Sequence, residues 1–449
     1  MTFAEELAAR ANAIRLDAAD TEAAHIAKRA IADTLAVTVA GADAPFVASL
    51  EKVLGVSEAP GSATRVARGG KSTVLHAALV NGTSAHALDF DDCSTTMGGH
   101  PSAPVVPAVL ALAEERGFSG REVLEAYLAG FETETRLARG LLPHHYEKGW
   151  HPTATLGVFG VAVACGRLLK LDDAALANTI AIAVSMASGL KSNFGTPVKP
   201  LHVGQAAHNG LLAALMTAQG VSANPEAFEH TYGFFNVFNG PGTFSADRIL
   251  DGWDGPLEIL EPGIAIKQHP CCGSAHSAID AALLIFGQTG PLGAEQIDKI
   301  ETWTHERRLA HTNRPQPRTA LDAKFSVQFL TAKALQTGII KLADFEDGKF
   351  LTPQIETLLD RTTSQPHRDA NQYLGRVRVT LKNGQVLEQT ASTNFGRGPL
   401  NPMSDAELLT KFSDCVSTHI GAGAAEAAFA AILDIDRANT VSRVMTAFA

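Results

Sequence analysis

Residues 22–40, EAAHIAKRAIADTLAVTVA, carry the pattern that decides the fold of the first half of the chain. Their apolar residues recur at the three- and four-residue spacing of an amphipathic helix, and Gly41 follows as a typical helix end. The same spacing predicts helices over six further segments: 73–88, 104–116, 121–139, 152–169, 173–188 and 200–219. Residues 1 to about 240 are therefore predicted to be almost entirely helical.

The second half of the chain mixes helices and strands. The sequence of residues 298–304 predicts a strand. Residues 374–392 form two runs of alternating polarity around Asn383-Gly384, the strongest short hairpin signal, and predict a β-hairpin. Helices are predicted near 319–336 and 353–360, and Ser404-x-x-Glu407 is a capping box that opens a last helical stretch. The sequence thus predicts a mainly α protein with three segments: a large all-helical domain at 1–263, a smaller α+β domain at 264–400, and C-terminal helices at 401–449 that return to the helical domain.

Composition excludes several classes of protein. The chain has 449 residues, of which 45% are hydrophobic and 19% charged, so intrinsic disorder is excluded. A net charge of −10 and only 6% aromatic residues argue against a nucleic-acid partner. No apolar run reaches membrane-spanning length, no signal peptide is recognised, and five cysteines without a C-x-x-C pattern indicate free thiols. We expect a cytoplasmic protein with no membrane partner.

The sequence contains no complete example of the familiar cofactor- and metal-binding motifs. Residues 67–73, ARGGKST, end like a phosphate-binding loop, but Arg65 stands where that motif needs glycine. No dinucleotide fingerprint, H-E-x-x-H or G-x-S-x-G pattern is present. Asp89, Asp91 and Asp92 are possible ligands for a hard metal, but no clustered histidine or cysteine spacing supports a zinc site. We therefore predict neither a cofactor nor a catalytic metal.

One recurring feature points to chemistry rather than packing. Four times a basic residue directly precedes a proline before an apolar stretch: His100-Pro101, His151-Pro152, Lys199-Pro200 and His269-Pro270. Proline favours the first position of a helix, and the residue before it then lies beside unpaired N–H groups that attract anions. Any one such residue is most simply a surface cap. Four of them in an acidic chain predict a cationic pocket for a small polyanion, provided that they converge.

Neighbouring residues suggest how such a pocket would work. Lys199 and His202 are three residues apart, and Lys267 lies two before His269, so each pair is expected to share a side of its segment. The acidic run 89–92 precedes His100; it is either a solvated loop or the carboxylate that orients a histidine base. A metal-free pocket of His, Lys and Asp can remove a proton next to a carboxylate and stabilise the resulting enolate-like anion.

Seven blocks of the sequence resemble the signature blocks of the MmgE/PrpD family. The blocks cover most of the chain in the family's order: 81–92 (NGTSAHALDFDD), 99–108, 148–160, 193–210, 267–281, 313–317 and 323–329. The family includes 2-methylcitrate dehydratase, cis-aconitate decarboxylase and iminodisuccinate epimerase. The resemblance implies a helical domain with an α+β lid, a homodimer, no cofactor or metal, and an active site between the two domains.

The resemblance also assigns residues. Matched motif by motif, it implies five catalytic residues: Asp89, His100, His151, Lys199 and Lys267. Asp89 is expected to orient His100 or His151 as the base, and the two lysines to hold carboxylates. Four further residues are expected to bind substrate: Cys93, His202, His269 and His311.

Two departures from the family pattern affect the choice of reaction. Cys93 stands where decarboxylases of this family resemble one another in having threonine, and His311 where they have tyrosine. Block 148–160 resembles the epimerase. We therefore rank elimination of the 2-methylcitrate dehydratase type first, epimerisation second and decarboxylation third, all acting on a small di- or tricarboxylate. A polycarboxylate-binding protein without catalysis is the alternative from another class.

Overall fold

A computed structural model describes residues 1–16, 21–56, 60–346, 348–393 and 396–449, apart from the side chains at 418 and 422. The chain forms two compact units, the first built from 1–266 together with 401–449 and the second from 267–400. The predicted fold class, mainly α with a smaller α+β part, is confirmed. Within the described residues, no single helix is both long and apolar enough to cross a membrane; Thr21–Gly41 and Pro45–Leu54 pass that test only as a pair, with an 87° bend between them.

The first unit begins with a series of helices, most of which cover the predicted segments. They are α1 (Phe3–Ala13), α2 (Thr21–Gly41), α3 (Pro45–Leu54), α4 (Val74–Ala85), α5 (Ser102–Arg116), α6 (Gly120–Leu141), α7 (His144–Glu147), α8 (Pro152–Thr155), α9 (Gly157–Leu168), α10 (Asp173–Val184), α11 (Val198–Ala218) and α12 (Ala246–Leu250). Short strands β1 (Ala63–Thr64) and β2 (Lys71–Ser72) pair around the segment that resembles a phosphate-binding loop. Several boundaries differ from prediction by three residues or more. Helix 73–88 ends at Ala85, helix 152–169 is interrupted at Leu156, helix 173–188 ends at Val184, and helix 319–336 of the second unit is interrupted near Phe325.

Helices α4 and α11 pack closely because small residues face one another. A Cβ atom added at Gly82 would lie 3.1 Å from Cα of Gly204. A Cβ at Gly204 would lie 2.1 Å from Oγ1 of Thr83, well inside contact distance. The backbones of these two helices can therefore approach only with glycine at this crossing. The crossing matters because α11 begins near Lys199 and α4 leads directly into the segment that carries Asp89.

The second unit packs helices against one mixed sheet. Its helices are α13 (His276–Thr289), α14 (Glu306–Thr312), α15 (Ala320–Lys324), α16 (Val327–Thr337) and α17 (Pro353–Asp360). Its strands are β3 (Ile297–His305), β4 (Thr362–His367), β5 (Leu374–Leu381) and β6 (Val386–Ser392), in the order β4-β3-β5-β6. Strand β4 runs parallel to β3, and the other pairs are antiparallel. The predicted hairpin is β5–β6, with Gly384 at φ +89° in its turn.

The C-terminal helices belong to the first unit. They are α18 (Asp405–Ile420), α19 (Ala422–Leu433) and α20 (Ser442–Met445). The predicted capping box is present, since Ser404 and Glu407 exchange hydrogen bonds at the start of α18. On the same helix, Nζ of Lys411 lies 2.6 Å from Oδ1 of buried Asp33 and donates to the carbonyl of Phe90 at 2.9 Å. This buried ion pair joins α18 to α2 and to the acidic run.

Single-turn elements complete the chain. The described 3₁₀ turns are Lys191–Asn193, Gly273–Ala275, Leu342–Phe345, Ile435–Arg437 and Thr446–Phe448, and the π turns are Phe235–Asn239 and Ile259–Gly263.

Candidate active site

The segment between α4 and α5 carries three of the predicted site residues and is fixed by backbone contacts. Cys93 exchanges two hydrogen bonds of 2.8 Å with the backbone of Ala265. The N–H of His100 donates to Oγ1 of Thr153 at 3.1 Å. Asp89 adopts φ +54°, a left-handed conformation that is uncommon for a residue with a side chain. The fold holds the backbone of Asp89 in this rarely populated conformation, which is typical of a functional position.

Asp89 forms an ion pair with Lys199 at the start of α11. Nζ of Lys199 lies 2.8 Å from Oδ1 of Asp89, and both side chains are nearly buried. The ammonium also lies 5.3 Å from the centre of the Phe194 ring. The same Asp89 oxygen is 3.6 Å from Nε2 of His100, longer than a hydrogen bond. The negative charge of Asp89 is therefore directed mainly at Lys199.

Asp91 lies on the opposite side of the His100 ring. Its Oδ2 is 3.2 Å from Nδ1 of His100 and 2.8 Å from Nδ1 of His86. Burial alone would raise the pKa of Asp91, but the two histidines beside it hold that pKa well below its usual value. Asp91 is thus a buried ionised carboxylate shared by two imidazole rings.

His86 was not among the predicted site residues. It is fully buried, and its ring meets that of His100 edge-on at 4.5 Å between centroids. Burial lowers the pKa of His86 to about 4 despite the charge of Asp91, so the ring is neutral near pH 7. The only sequence signal for its role was its place within the block 81–92, where it stands five residues before Asp91.

His151 and His202 form a second pair of rings in the same cluster. Their Nδ1 atoms are 3.4 Å apart, and the edge of the Phe194 ring covers His151. Burial, followed by the positive charges of neighbouring groups including Lys199, holds the pKa of His151 well below its usual value. Burial and Lys199 also lower the pKa of His202. Both rings are therefore neutral hydrogen-bonding groups near pH 7.

Cys93 contributes a thiol to the cluster. Its Sγ lies 3.7 Å from Nδ1 of His100, and the side chain is buried. The first unit thus brings together six of the nine predicted residues: Asp89, Cys93, His100, His151, Lys199 and His202.

The other predicted residues lie in the second unit. His269 pairs with Asp280, with Nε2 3.0 Å from Oδ1, and Lys267 is buried. Burial alone would raise the pKa of Asp280, but hydrogen bonds from His269 and Thr393 bring it below its usual value.

Buried His276 lies close to His269, with 5.1 Å between the centres of the two rings. Its pKa is held well below the usual value, mainly by burial and then by the charges of His269 and Lys267. His311 lies exposed in the last turn of α14, a helix that packs near the turn Gly273–Ala275. Neither Asp280 nor His276 was predicted.

The prediction of four basic residues at helix starts is largely wrong. His151 has the expected geometry, as it precedes α8 with Pro152 at the first position. Pro101 is itself the N-cap of α5, so His100 lies one residue further out.

At the other two junctions, the helix starts elsewhere. Lys199 lies inside α11, because Pro197 caps that helix and Pro200 is tolerated in the first turn, where its missing N–H has no intrahelical partner. His269-Pro270 precedes a turn, and α13 begins only at His276. The basic groups converge through the tertiary fold rather than through a shared helix-start geometry.

Four residues of this cluster are of the types that bind metal ions. His86, Asp89, Asp91 and His100 offer ligand atoms within 4.8 Å of one another. However, Asp91 faces Nδ1 of His100 while Asp89 faces its Nε2, so the two carboxylates approach opposite nitrogens of one ring. The ammonium of Lys199 already contacts Asp89. These residues fit a hydrogen-bonded relay better than a single coordination centre.

Comparisons with known proteins match nearly the whole chain. The MmgE/PrpD N-terminal domain matches residues 5–247, and the MmgE/PrpD C-terminal domain matches 269–436. The chain is 29% identical to the cis-aconitate decarboxylase of Homo sapiens over 75% of its length and 71% of that protein. It is 26% identical to a cis-aconitate decarboxylase of Aspergillus terreus (93% and 90%), and 24% identical to the 2-methylcitrate dehydratase of Cupriavidus necator (70% and 69%).

Proposed function

The chain belongs to the MmgE/PrpD family, and we propose that it is a cofactor-independent lyase that removes a proton from the carbon next to a carboxylate of a small di- or tricarboxylate. The observation that carries this proposal is the buried cluster in which His100 lies between two carboxylates, with Lys199 2.8 Å from one of them. A carbon acid of this kind is weak, so catalysis needs a positioned base together with fixed positive charge at the anion that forms.

Each group of the cluster has a role in this chemistry. His100 is the proposed base, because the carboxylates beside its ring stabilise the imidazolium that forms when it accepts a proton. Lys199 is the proposed cation for a substrate carboxylate, and Asp89 holds it in place. The neutral rings of His151 and His202 are proposed to donate hydrogen bonds to carboxylate oxygens, with Cys93 beside them.

Residues of the second unit are included in the proposal on the family resemblance. We propose Lys267 as a second catalytic ammonium and His269 as a substrate-binding residue oriented by Asp280. His311 is retained as a proposed substrate-binding residue. The homodimer and the cytoplasmic location stay predictions.

The fate of the carbanion separates the candidate reactions. Elimination of water is our first candidate, because Cys93 and His311 replace the threonine and tyrosine that the family resemblance associates with decarboxylation. Decarboxylation, ranked third from the sequence, becomes the second candidate and epimerisation the third, because relatives named cis-aconitate decarboxylase match the chain over 75–93% of its length.

Proton NMR in D₂O with a panel of carboxylates tests the proposal. The panel contains citrate, 2-methylcitrate, cis-aconitate, malate, tartrate, aspartate and iminodisuccinate. Wild-type protein is expected to introduce deuterium next to a carboxylate of one of them, and the new signals identify an alkene, a decarboxylated acid or an epimer. Activity is expected to survive EDTA.

Lys199→Ala is the test of the site, with Lys170→Ala as its control. Removing Lys199 takes away a buried cation, so turnover is expected to fall by about 10²- to 10³-fold or more while the protein stays folded. Lys170 has a side chain that is 74% exposed, and its removal is expected to leave turnover unchanged. Unchanged turnover in Lys199→Ala would show that the site is wrong. A carboxylate that raises the melting temperature without turnover would favour a binding protein.

A further inference from the structure

We infer that His151 and His202, called here the histidine pair, share one hydrogen between their Nδ1 atoms, hold opposite tautomers and pass a proton from one outer nitrogen to the other. One Nε2 of the pair then carries a hydrogen that can be delivered, and the other has a lone pair that can accept a proton. The proton transfer rests on the proposed function, whereas the shared hydrogen is a property of the protein alone.

The backbone of the first unit holds the two rings beside each other. His151 directly precedes α8, and its N–H donates to the carbonyl of Gly189 at 3.0 Å. His202 lies near the start of α11, and a Cβ atom added at Gly189 would lie 3.4 Å from Nδ1 of its ring. The edge of the Phe194 ring covers His151. Gly189 thus lies against both members of the pair.

The separation of the two Nδ1 atoms, 3.4 Å, is that of a hydrogen bond and requires one hydrogen between them. Two hydrogens would collide, and none would leave two lone pairs facing each other. A neutral imidazole carries one hydrogen and accepts through its other nitrogen. The ring that donates through Nδ1 therefore has a bare Nε2, and the ring that accepts through Nδ1 carries its hydrogen on Nε2. Only one ring of the pair can thus donate to a substrate carboxylate at a time.

Both rings are kept neutral by their surroundings. The two side chains are buried. Burial holds the pKa of His151 well below its usual value, and neighbouring basic groups, Lys199 among them, lower it further. Burial and the charge of Lys199 also lower the pKa of His202. An imidazolium is therefore unfavourable on either ring, and a transfer that leaves both rings neutral avoids it.

The outer nitrogens of the pair can exchange protons. Within the described residues, no hydrogen bond involves Nε2 of His151 or of His202, and neither atom is among the buried polar atoms without a partner. In buried His145, by contrast, Asn239 and Thr155 occupy the two ring nitrogens, at 2.9 and 2.7 Å. His145 is thus a structural histidine, whereas the pair has a nitrogen at each end for a substrate group or water.

The transfer through the pair conserves protons and charge. A proton binds the bare Nε2 of one ring, and the hydrogen on Nδ1 of that ring moves to Nδ1 of the other. The second ring then releases the hydrogen from its own Nε2. Each ring is neutral before and after, and the two tautomers have exchanged. Proton exchange of both Nε2 atoms with water restores the starting arrangement.

In the proposed elimination, the pair serves the leaving group. His100 takes the proton from carbon, the electron pair of the C–H bond becomes the second bond of the alkene, and the C–O bond breaks toward oxygen. The pair delivers a proton to the departing hydroxide, which leaves as water. The imidazolium of His100 supplies the proton that enters the pair, so the protein ends the reaction with the protons it began with.

The first experiment detects the shared hydrogen directly. Protein labelled with ¹⁵N-histidine is examined by long-range ¹H–¹⁵N NMR above pH 7, and the two rings are assigned by the loss of their signals in His151→Asn and His202→Asn. The hydrogen occupancies of the two Nδ1 atoms are expected to add up to one, and those of the two Nε2 atoms likewise, whether the tautomers are fixed or exchange. Two protonated or two bare Nδ1 atoms would overturn the inference.

The second experiment removes the transfer but keeps a partner for His151. His202→Asn retains an amide near the position of Nδ1 but has no second ring nitrogen, so kcat is expected to fall by about 10²- to 10⁴-fold, with KM changed only a few-fold. His202→Ala is expected to lose a similar amount and to regain at least tenfold in kcat when imidazole is added. A merely structural role of the ring would not respond to imidazole.

His208→Ala is the matched control. His208 lies on the same helix, is half-buried, and has its Nδ1 3.0 Å from Oδ1 of Asn209. Its removal is expected to leave kcat unchanged, with no response to imidazole.

The outcomes separate this inference from the proposed function. A loss of less than tenfold in kcat for His202→Asn, or no recovery of His202→Ala with imidazole, would overturn the proton transfer. If wild-type protein turns over no carboxylate of the panel while the occupancies add up to one, the proposed function and the transfer fail together and the shared hydrogen stands. Turnover with identical tautomers would overturn the inference and leave the proposed function intact. The wild-type spectrum decides the shared hydrogen even if a variant does not fold.

Discussion

Replacing Gly204 with alanine is expected to damage both the packing of the helical unit and the site. Gly204 lies where α11 crosses α4, and Lys199 lies five residues earlier on the same helix. The new Cβ would lie 2.1 Å from Oγ1 of Thr83 and 2.3 Å from the carbonyl oxygen of Leu79. Moving the Thr83 side chain cannot relieve the second contact, because that oxygen belongs to the backbone of α4.

The magnitude follows from these distances. An ordinary contact of a Cβ atom begins at about 3.4 Å, so the two helices must separate by about 1 Å at the crossing. Overpacking of this kind costs about 1–3 kcal/mol, and the better helix propensity of alanine returns up to about 1 kcal/mol. The net loss of about 1–2 kcal/mol corresponds to a melting temperature lower by about 1–3 °C for a unit of this size. A displacement of about 1 Å at Lys199 is expected to lower kcat by about 10²-fold.

Calorimetry and the carboxylate turnover assay measure the two effects, with Gly423→Ala as the control. Gly423 lies in α19 of the same unit, and a Cβ there meets nothing within 4 Å. Its replacement is expected to keep or raise the melting temperature and to leave turnover unchanged. If Gly204→Ala keeps both wild-type values, the close packing argument is refuted. A lower melting temperature with full kcat would confirm the packing and refute its coupling to Lys199.

Two further predictions concern buried charges of the first unit. Both carboxyl oxygens of Glu134 are buried without a hydrogen-bond partner among the described residues. Burial, and to a smaller extent the charge of Asp92, raises the pKa of Glu134 well above its usual value. Folding therefore favours its protonated form, and stability falls as pH rises above about 4.3, the unfolded value. Glu134→Gln is expected to narrow the difference in melting temperature between pH 5 and pH 9, and an equal or larger difference would contradict this. Lys411→Met removes one partner of the buried Lys411–Asp33 ion pair, so urea unfolding is expected to show a loss of about 3–5 kcal/mol, and a loss below about 1 kcal/mol would refute the importance of this pair.

Sequence reasoning predicted elements whose signal is local. The segment 22–40 became Thr21–Gly41, because its apolar spacing and terminal glycine act within one helix. The hairpin formed around Asn383-Gly384 for a similarly local reason. Strand β4 was not predicted, and its Pro366 is a residue that argues against a central strand. Proline is acceptable here because β4 lies at the edge of the sheet.

The site was predicted as a set of residues but not as a set of contacts. Asp89 and Lys199 are 110 residues apart, and nothing in the local sequence of either reveals that they form an ion pair. His86 went unnoticed because a single histidine at the end of an apolar helix is most simply a core residue. Its five-residue separation from Asp91 matches no helical or strand spacing that would have signalled a pair. Tertiary structure supplied this information.

The acidic run shows why residue type alone could not assign the roles. Three aspartates lie within four consecutive positions, yet each carboxylate meets a different partner: Lys199 for Asp89, two histidines for Asp91, and the backbone N–H of Ser102 for Asp92. A regular helix or strand would place some of these side chains on a shared face, whereas the left-handed turn at Asp89 breaks that regularity.

The electrostatics follow the same division. Asp89 is balanced by the ammonium of Lys199 and Asp91 by two imidazole rings, whereas Asp92 accepts a backbone N–H at 3.3 Å. Within the described residues, one oxygen of Asp91 and one of Asp92 are buried without a hydrogen-bond partner. Burial accordingly raises the pKa of Asp92 to about 7, while the pKa of Asp91 is held low by its histidines. Adjacent carboxylates therefore differ in charge near neutral pH because they differ in hydrogen-bond donors. Of the two carboxylates beside the proposed base His100, Asp91 is the nearer, and its charge is the one directed at the imidazole rings, whereas that of Asp89 is directed mainly at Lys199.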